Sequence, residues 1–151
     1  MVNALFHIDK FKINNISEKY GDQAVILGCD YICEKKNYIT VFNNAKKKSL
    51  IFEKYLVNTK KIFFGELLLN SVEKDGTGQG FDQKVINSLN KINKPIILMG
   101  GAGKFEHFIE ILKNNKIDAA ATGNLFNFLG NGLEFTRSNL IKKKIRLVSF
   151  N

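Results

Sequence analysis

The sequence predicts an α/β fold built on a parallel β-sheet. Three apolar runs, at residues 66–72, 95–99 and 118–121, each end in small or polar residues and then lead into a predicted helix. Runs that are apolar throughout, rather than alternating with polar residues, are typical of parallel strands buried on both faces. Active sites of such folds lie at the carboxyl ends of the strands. In this chain those ends hold Asp75-Gly76-Thr77, Gly100-Gly101 and Thr122-Gly123-Asn124.

The N-terminal part of the chain predicts more strands and helices in alternation. Residues 10–14 predict the end of a strand, residues 16–20 a short helical turn, and residues 23–29 an apolar strand that ends at Asp30. Residues 38–42 predict a hairpin-like strand after a turn at residues 34–37. The spacing of apolar residues predicts helices at residues 50–63, 82–92, 104–114 and 133–144, with a turn near Asn124.

The number of these elements indicates part of a barrel. We count about five strand-and-helix units, which end at Asn14, Asp30, residues 70–75, Gly100 and Gly123. A closed (β/α)8 barrel, the TIM barrel, needs eight such units and typically ~250 residues. Residues 1–7 are more typical of the tail of a helix than of the capped start of a domain. The sequence therefore predicts the C-terminal half of a TIM barrel, strands four to eight, as one partial domain over residues 1–151.

Composition favours a globular domain and a cytoplasmic location. Of the 151 residues, 44% are hydrophobic and one is Pro, which argues against disorder. The net charge of +9 comes from solvated lysine clusters and fits an anionic substrate, because nucleic-acid-binding motifs are absent. No apolar run is long enough to cross a membrane, and no signal peptide opens the sequence. We expect Cys29 and Cys33 to form a buried, reduced pair.

Two glycine-containing strand ends favour the binding of phosphate groups. Gly100 and Gly101 leave the backbone N–H groups bare at the entrance of a helix that is predicted to begin at Lys104. Thr122, Gly123 and Asn124 offer the same arrangement after the next strand. A dinucleotide-binding fingerprint is a poor alternative, because residues 76–80 lead into no suitably placed helix start. A single His107 on an apolar helix face, with no second His beside it, predicts packing or capping rather than a metal site.

Ordered motifs along nearly the whole chain then match a known family. They are Asp9-Lys10 with Lys12-Ile13-Asn14, Gln23 through Asp30, Gly65 through Ser71, Asp75-Gly76-Thr77 with Gly80-Phe81-Asp82, Gly100 through Lys104 with Glu106-His107-Phe108, and Ala119 through Phe128. The chain resembles the cyclase subunit of imidazole glycerol phosphate synthase, from the end of barrel strand four onward. The resemblance implies a ribulose-phosphate-binding type of barrel, an ammonia-dependent ring closure of the lyase class in histidine biosynthesis, and neither a metal nor an organic cofactor.

The resemblance also implies roles for individual residues. Asp30 matches the catalytic aspartate at the end of strand five, which would transfer protons as a general acid or base; read by itself, it is a turn or helix cap. The remaining matches bind a phosphorylated small-molecule substrate. They are Asn70, Asp75 and Gly76 in the pocket, Gly100, Gly101, Thr122, Gly123 and Asn124 at one phosphate, and Asn14 and Asn15 at the other.

Four further residues match the opposite, N-terminal mouth of the barrel. Lys10 and Glu66 correspond to charged residues of an ammonia gate, and Asp9 and Gln23 to the face that docks a glutaminase subunit supplying ammonia. Without the resemblance, each of the four would be interpreted as an ordinary charged or polar residue on the surface.

The chain also departs from the family pattern. The N-terminal half, with a second catalytic aspartate, is missing, and the crossover between Asn15 and Tyr20 is about a helix too short. We therefore expect an inactive isolated chain that needs self-association or a separate N-terminal half-barrel chain. Asn70 replaces the usual Thr and points toward a paralogous branch that supports amidination of a surface-polysaccharide sugar. A non-catalytic, phosphate-binding half-barrel is the other alternative.

Overall fold

A six-stranded β-sheet runs through the part of the chain that the computed structural model describes, residues 1–89, 92–123, 125, 131–145 and 147. The strands are β1 (Ile26–Glu34), β2 (Asn37–Phe42), β3 (Lys47–Ile51), β4 (Glu66–Ser71), β5 (Ile96–Met99) and β6 (Ala119–Ala121). Their order in the sheet is β3-β2-β1-β4-β5-β6. Strands β1, β4, β5 and β6 are parallel to one another, whereas β1, β2 and β3 form an antiparallel meander.

Helices alternate with strands along much of the chain, as the sequence predicts for the segments after β5 and β6. They are α1 (Ala4–Ile8), α2 (Lys10–Tyr20), α3 (Phe52–Thr59), α4 (Phe105–Leu112) and α5 (Gly132–Lys142), with 3-10 turns at Asp22–Ala24 and Gln83–Leu89. The predicted strands at residues 66–72, 95–99 and 118–121 are present as β4, β5 and β6. The helix predicted at residues 82–92 is instead the second 3-10 turn. The turn predicted near Asn124 lies outside the described residues.

The strand predicted at residues 10–14 is wrong, because this segment is the first half of α2. The Asp9 side chain caps the helix by accepting a hydrogen bond from Phe11 N at 3.1 Å. Ile13 and Ser17, four residues apart, lie on one buried face of the helix. Gly21, with φ of +87°, ends it. A four-residue spacing on one face is a helical pattern, and the short alternation of KFKIN hid it from sequence analysis.

Because residues 10–14 are helical, the crossover connection that leads into β1 is longer than the sequence predicted. Val2 forms a parallel bridge with Leu27, through hydrogen bonds from Val2 N to Ile26 O (2.9 Å) and from Gly28 N to Val2 O (2.7 Å). The strand position next to β1 is therefore occupied by Val2, and not by residues 10–14. Helices α1 and α2 together connect it to β1, which gives a crossover of ordinary length.

The antiparallel meander extends further than the sequence predicted. Strand β1 continues past Asp30 to Glu34, and β2 returns beside it with Asp30 opposite Val41. Two turns make this possible, because Lys35-Lys36 and Asn43-Asn44-Ala45 all adopt positive φ. Strand β3 was not predicted, since Leu50 had been assigned to a helix that in fact begins at Phe52.

The two faces of the parallel strands differ in how they are covered. Leu27, Leu67, Leu69 and Leu98 are fully buried against the helices. On the other face the cross-strand partners Asp30, Asn70, Met99 and Ala121 form one row, and all are partly exposed. In a closed (β/α)8 barrel this second face lines the interior. The predicted α/β half-barrel is thereby confirmed, with its inner face open.

Candidate functional site

Asp30 is held by two amide side chains at the carboxyl edge of the parallel strands. Asn3 Nδ2 donates to Asp30 Oδ2 at 2.6 Å, and Asn70 Nδ2 donates to Asp30 Oδ1 at 3.0 Å. The carboxylate is partly buried, and each of its oxygens accepts one hydrogen bond. Hydrogen bonds of this kind fix the orientation of a carboxylate more firmly than contact with solvent does.

Strand register explains why these three residues meet. Asn70 is the direct cross-strand partner of Asp30, so both side chains leave the same face of the sheet. Asn3 follows Val2, whose parallel bridge to Leu27 places the next residue beside Gly28, two residues before Asp30. Sequence analysis identified Asp30 and Asn70 but missed Asn3, because a single Asn carries no pattern of its own.

A glycine cradle lies next to this cluster at the same edge. We use this name for the lining of a cavity of about 270 Å³, formed by Asp75, Gly76, Gly78, Gly100, Gly101, Ala102, Gly103, Thr122, Gly123 and Leu125. The cradle combines the loops after β4, β5 and β6, as expected from the carboxyl ends of parallel strands. Its lining is mostly backbone and small side chains, which suits a compact anion better than an apolar ligand.

Glycine is required where two of these loops cross. Gly100 and Gly101 have φ values of +95° and +98°, which favour glycine. A Cβ atom on Gly101 would overlap Gly80 O. The same close approach allows Gly80 N to donate to Gly101 O at 2.7 Å. Helix α4 follows directly, and His107 Nδ1 accepts a hydrogen bond from Gly103 N at 3.1 Å, which fits the capping role predicted for His107.

Most of the predicted substrate residues come together at this edge. Asp75, Gly76, Gly100, Gly101, Thr122 and Gly123 all line the cradle. Asn70 connects the cradle to Asp30, because its Oδ1 atom lies 3.1 Å from the position that a Cβ on Gly100 would take. Asn124 lies outside the described residues.

Asn14 and Asn15 are not brought to the site, because they lie on α2 rather than at a strand end. Asn14 Nδ2 donates to Lys61 O at 3.3 Å, and Asn14 Oδ1 accepts from Phe63 N at 3.0 Å. These bonds tie α2 to the turn before β4, at the opposite edge of the sheet. Asn15 is exposed on the same helix.

The residues predicted at the amino edge divide into two pairs. Glu66 is the first residue of β4, and a Cβ on the adjacent Gly65 would lie 2.8 Å from Gln23 Cα, so Glu66 and Gln23 are neighbours there. Asp9 and Lys10 instead begin α2, which runs about 15 Å back to that edge. Lys10 Nζ lies 4.7 Å from the centre of the Phe6 ring. The prediction of Asp9 and Lys10 at the amino mouth is therefore wrong.

The other reactive side chains near the site are suited to packing rather than to nucleophilic chemistry. Cys29 and Cys33 are both free, but Cys33 is exposed, so the predicted buried pair is wrong for that residue. Burial, and secondly the charge of Asp30, raises the pKa of the Cys29 thiol well above its usual range. Among the described residues, no group of three or more His, Cys, Asp or Glu side chains could hold a metal ion.

Comparison with known proteins assigns the family. The family model of the histidine biosynthesis proteins matches residues 2–131. The chain belongs to this family. Within the part of the chain that the structure describes, no helix has the length and apolar character needed to cross a membrane.

Several curated relatives of the chain are subunits of one enzyme. A candidate imidazole glycerol phosphate synthase subunit, hisF2, from Parasynechococcus marenigrum is 38% identical over 81% of the chain and 46% of the relative. Imidazole glycerol phosphate synthase subunits HisF from Clostridium botulinum and Pelodictyon phaeoclathratiforme are 35% and 30% identical, over 87% and 95% of the chain. Those matches cover 53% and 58% of the relatives, so the chain spans about half their length.

Proposed function

We propose that this chain supplies one half of a cyclase subunit of imidazole glycerol phosphate synthase, which acts in histidine biosynthesis in the cytoplasm. The half carries Asp30 as a proton-transfer group and the glycine cradle as the site of a substrate phosphate. The observation that carries the proposal is the position of Asn70, which donates to Asp30 and whose Oδ1 atom lies 3.1 Å from where a Cβ on Gly100 would be. A carboxylate close to an anion-binding loop suits a phosphorylated substrate whose reacting end is a proton donor or acceptor.

In the proposed site, backbone N–H groups bind the phosphate and the Asp30 side chain transfers the proton. Backbone N–H groups at the entrance of α4 would bind phosphate without a neutralising lysine in the cradle lining. Asp30 is partly exposed on the inner face, so a substrate anchored in the cradle could reach it. Its two amide partners carry no charge and leave the carboxylate free to accept or return a proton during addition of ammonia and ring closure.

The open inner face is the reason to propose a complementary chain. Leu68, Ile97 and Met99 are partly exposed on the face that a closed barrel would cover. Large apolar side chains are also exposed on α1, α2 and α5, at Ile8, Phe11, Leu133, Phe135 and Ile141. A separate N-terminal half-barrel, or a second copy of this chain, would cover these surfaces. The N-terminal half-barrel would in addition supply the second catalytic group, which a second copy of this chain lacks.

A glutaminase subunit would supply the ammonia at the other edge of the sheet. Glu66 and Gln23 lie together at that edge, at the start of β4 and in the turn before β1. The inner face between them and Asp30 would then form the wall of an ammonia path. Asp9 and Lys10 are not part of this proposal, because they lie at the far end of α2.

A second candidate function is non-catalytic phosphate binding. It is favoured by the completeness of the glycine cradle within this chain, in contrast to the open face beside Asp30. In this case the chain would bind phosphorylated ligands with or without a complement and would show no turnover.

Co-expression with a complementary half distinguishes the two functions. The complement is the part of the Clostridium botulinum relative that this chain leaves unmatched, and the assay follows cyclisation with ammonium as nitrogen source. We expect negligible turnover from the chain alone, turnover in the complex, and a loss of ~10²–10⁴ in rate in Asp30→Asn. Asp22→Asn, an exposed carboxylate at the opposite edge, is the matched control. Turnover by the isolated chain, or an Asp30→Asn complex as fast as its parent, would contradict the proposal.

A further inference from the structure

We propose that Asn3 is a positioning residue for Asp30, and that the Met1–Asn3 segment is therefore part of the reactive site. The proposal rests on the proposed function in one respect, namely that Asp30 transfers protons. The observation behind it is the 2.6 Å hydrogen bond from Asn3 Nδ2 to Asp30 Oδ2, made between segments 27 residues apart.

The two amides act on the carboxylate as a pair. Asn3 holds Oδ2 and Asn70 holds Oδ1, so rotation of the carboxylate about its Cβ–Cγ bond would break both hydrogen bonds. One amide alone would oppose this rotation with a single hydrogen bond. A carboxylate that must meet a proton on a bound substrate gains rate from such a fixed orientation.

The position of Asn3 depends on the backbone pairing of Val2 with β1 and on the lack of a side chain at Gly28. Val2 is bound to β1 through both of its backbone groups, because its N–H donates to Ile26 O and its carbonyl accepts from Gly28 N. A Cβ atom on Gly28 would lie 3.3 Å from Asn3 Cβ and from Met1 Sδ. Gly28 therefore makes room for the Met1–Asn3 segment on the inner face, directly before Cys29 and Asp30.

The surroundings of Asn3 indicate a role in orientation more than in stability. Its Oδ1 atom is buried and has no hydrogen-bond partner among the described residues, and the same is true of Asn70 Oδ1. A buried, unpaired acceptor opposes folding, so an apolar residue would stabilise the same place at least as well. What an apolar residue cannot do is donate to Asp30.

The kinetic test uses Asn3→Leu in the complemented complex, with Asn87→Leu as control. Leu has the same branching as Asn but is larger and carries no donor, and Asn87 is exposed in the 3-10 turn that follows β4. We expect Asn3→Leu to lower kcat by about 10- to 100-fold with KM unchanged, because the phosphate anchor remains. Asn3→Gln, which retains the amide on a longer arm, should recover part of this loss. A kcat for Asn3→Leu within twofold of the parent would overturn the proposal.

A second readout does not depend on turnover. In the full chain labelled with ¹⁵N, hydrogen exchange of the Asn70 side-chain amide reports whether Asp30 Oδ1 is still held. We expect this exchange to accelerate about tenfold in Asn3→Leu and to stay at the parent rate in Asn87→Leu. Unchanged exchange in Asn3→Leu would show that Asn70 holds Asp30 alone and would overturn the proposal. A parent complex without turnover would instead contradict the proposed function, and the exchange result would still decide the role of Asn3.

Discussion

Asn70 Nδ2 lies 3.0 Å from Asp30 Oδ1, in direct register across the parallel pair β1–β4. The same side chain reaches the Gly100 loop through its Oδ1 atom. One residue thus lies between Asp30 and the glycine cradle. A structural change in the cradle near Gly100 should therefore alter the orientation of the Asp30 carboxylate. Binding of the anion and orientation of the carboxylate would then be coupled.

The glycine cradle should bind inorganic phosphate through its backbone. Ligand binding to the folded state raises its stability, by about 2.7 kcal/mol at a concentration 100 times the Kd. A Cβ on Gly123 would meet nothing within 4 Å, so Gly123→Val should fold like the parent while crowding the cavity. We expect this variant to lose the phosphate-induced rise in Tm and to keep the Tm without phosphate. A full phosphate shift in Gly123→Val would place the anion elsewhere.

Asn14→Ala tests the position of Asn14 at the opposite edge. The variant loses two hydrogen bonds to the backbone at Lys61 and Phe63, each worth about 1 kcal/mol. We expect a decrease of about 1–2 kcal/mol in the free energy of unfolding, measured by urea denaturation. The phosphate-induced shift in Tm should remain at the parent value. A loss of that shift with unchanged stability would indicate that Asn14 belongs to the phosphate site after all.

Substitutions at the neighbouring residues Leu68 and Leu69 should have different effects, at Leu69 on folding and at Leu68 on association. Leu69 is fully buried on the helix side, so Leu69→Ala should lower the stability by about 2–5 kcal/mol. Leu68 points to the open inner face and is partly exposed. We expect the parent chain to self-associate in sedimentation experiments, and Leu68→Glu to shift it toward monomer while far-UV circular dichroism stays unchanged. A parent chain that sediments as a stable monomer at micromolar concentration would contradict this.

His7 should make the stability depend on pH. Its ring stacks on Phe42 at 4.6 Å, and Nδ1 lies 3.0 Å from Ser49 Oγ. Burial, and secondly the positive charge of Lys10, lowers the pKa of His7 from its usual 6.5, against a smaller opposing effect of Asp30. The unfolded chain therefore binds a proton more readily than the folded one, so stability is complete above about pH 6.5 and decreases as the pH falls below it.

Two variants isolate this contribution. His7→Gln should flatten the dependence of Tm on pH between about 6.5 and 5, because no imidazole remains to titrate. Ser49→Ala removes only the hydroxyl partner, so its Tm should still decrease over the same range. Equal slopes in the parent and in His7→Gln would assign the dependence to other groups.

The sequence by itself determined the α/β class, the parallel strands β4, β5 and β6, and the meeting of Asp75 with the glycine loops. These features follow from short-range signals, since uninterrupted apolar runs and Gly-Gly steps constrain the backbone locally. Asp30 and Asn70 were predicted as site residues from the resemblance to the cyclase family, and each ends or nearly ends an apolar run. The three-stranded meander could be predicted only in part, since β3 carries the lysines of an exposed edge strand.

Only the tertiary structure decided the rest. Residues 10–14 alternate like a strand, yet burial of Ile13 and Ser17 on one face makes them helical, and Asn14 moves to the opposite edge with them. Asn3 became a site residue through the bridge of Val2 to Leu27, a contact over 25 positions that no local pattern encodes. Which face of the sheet stays open also depends on long-range packing, because β-strand alternation fixes the two faces but not what covers each of them.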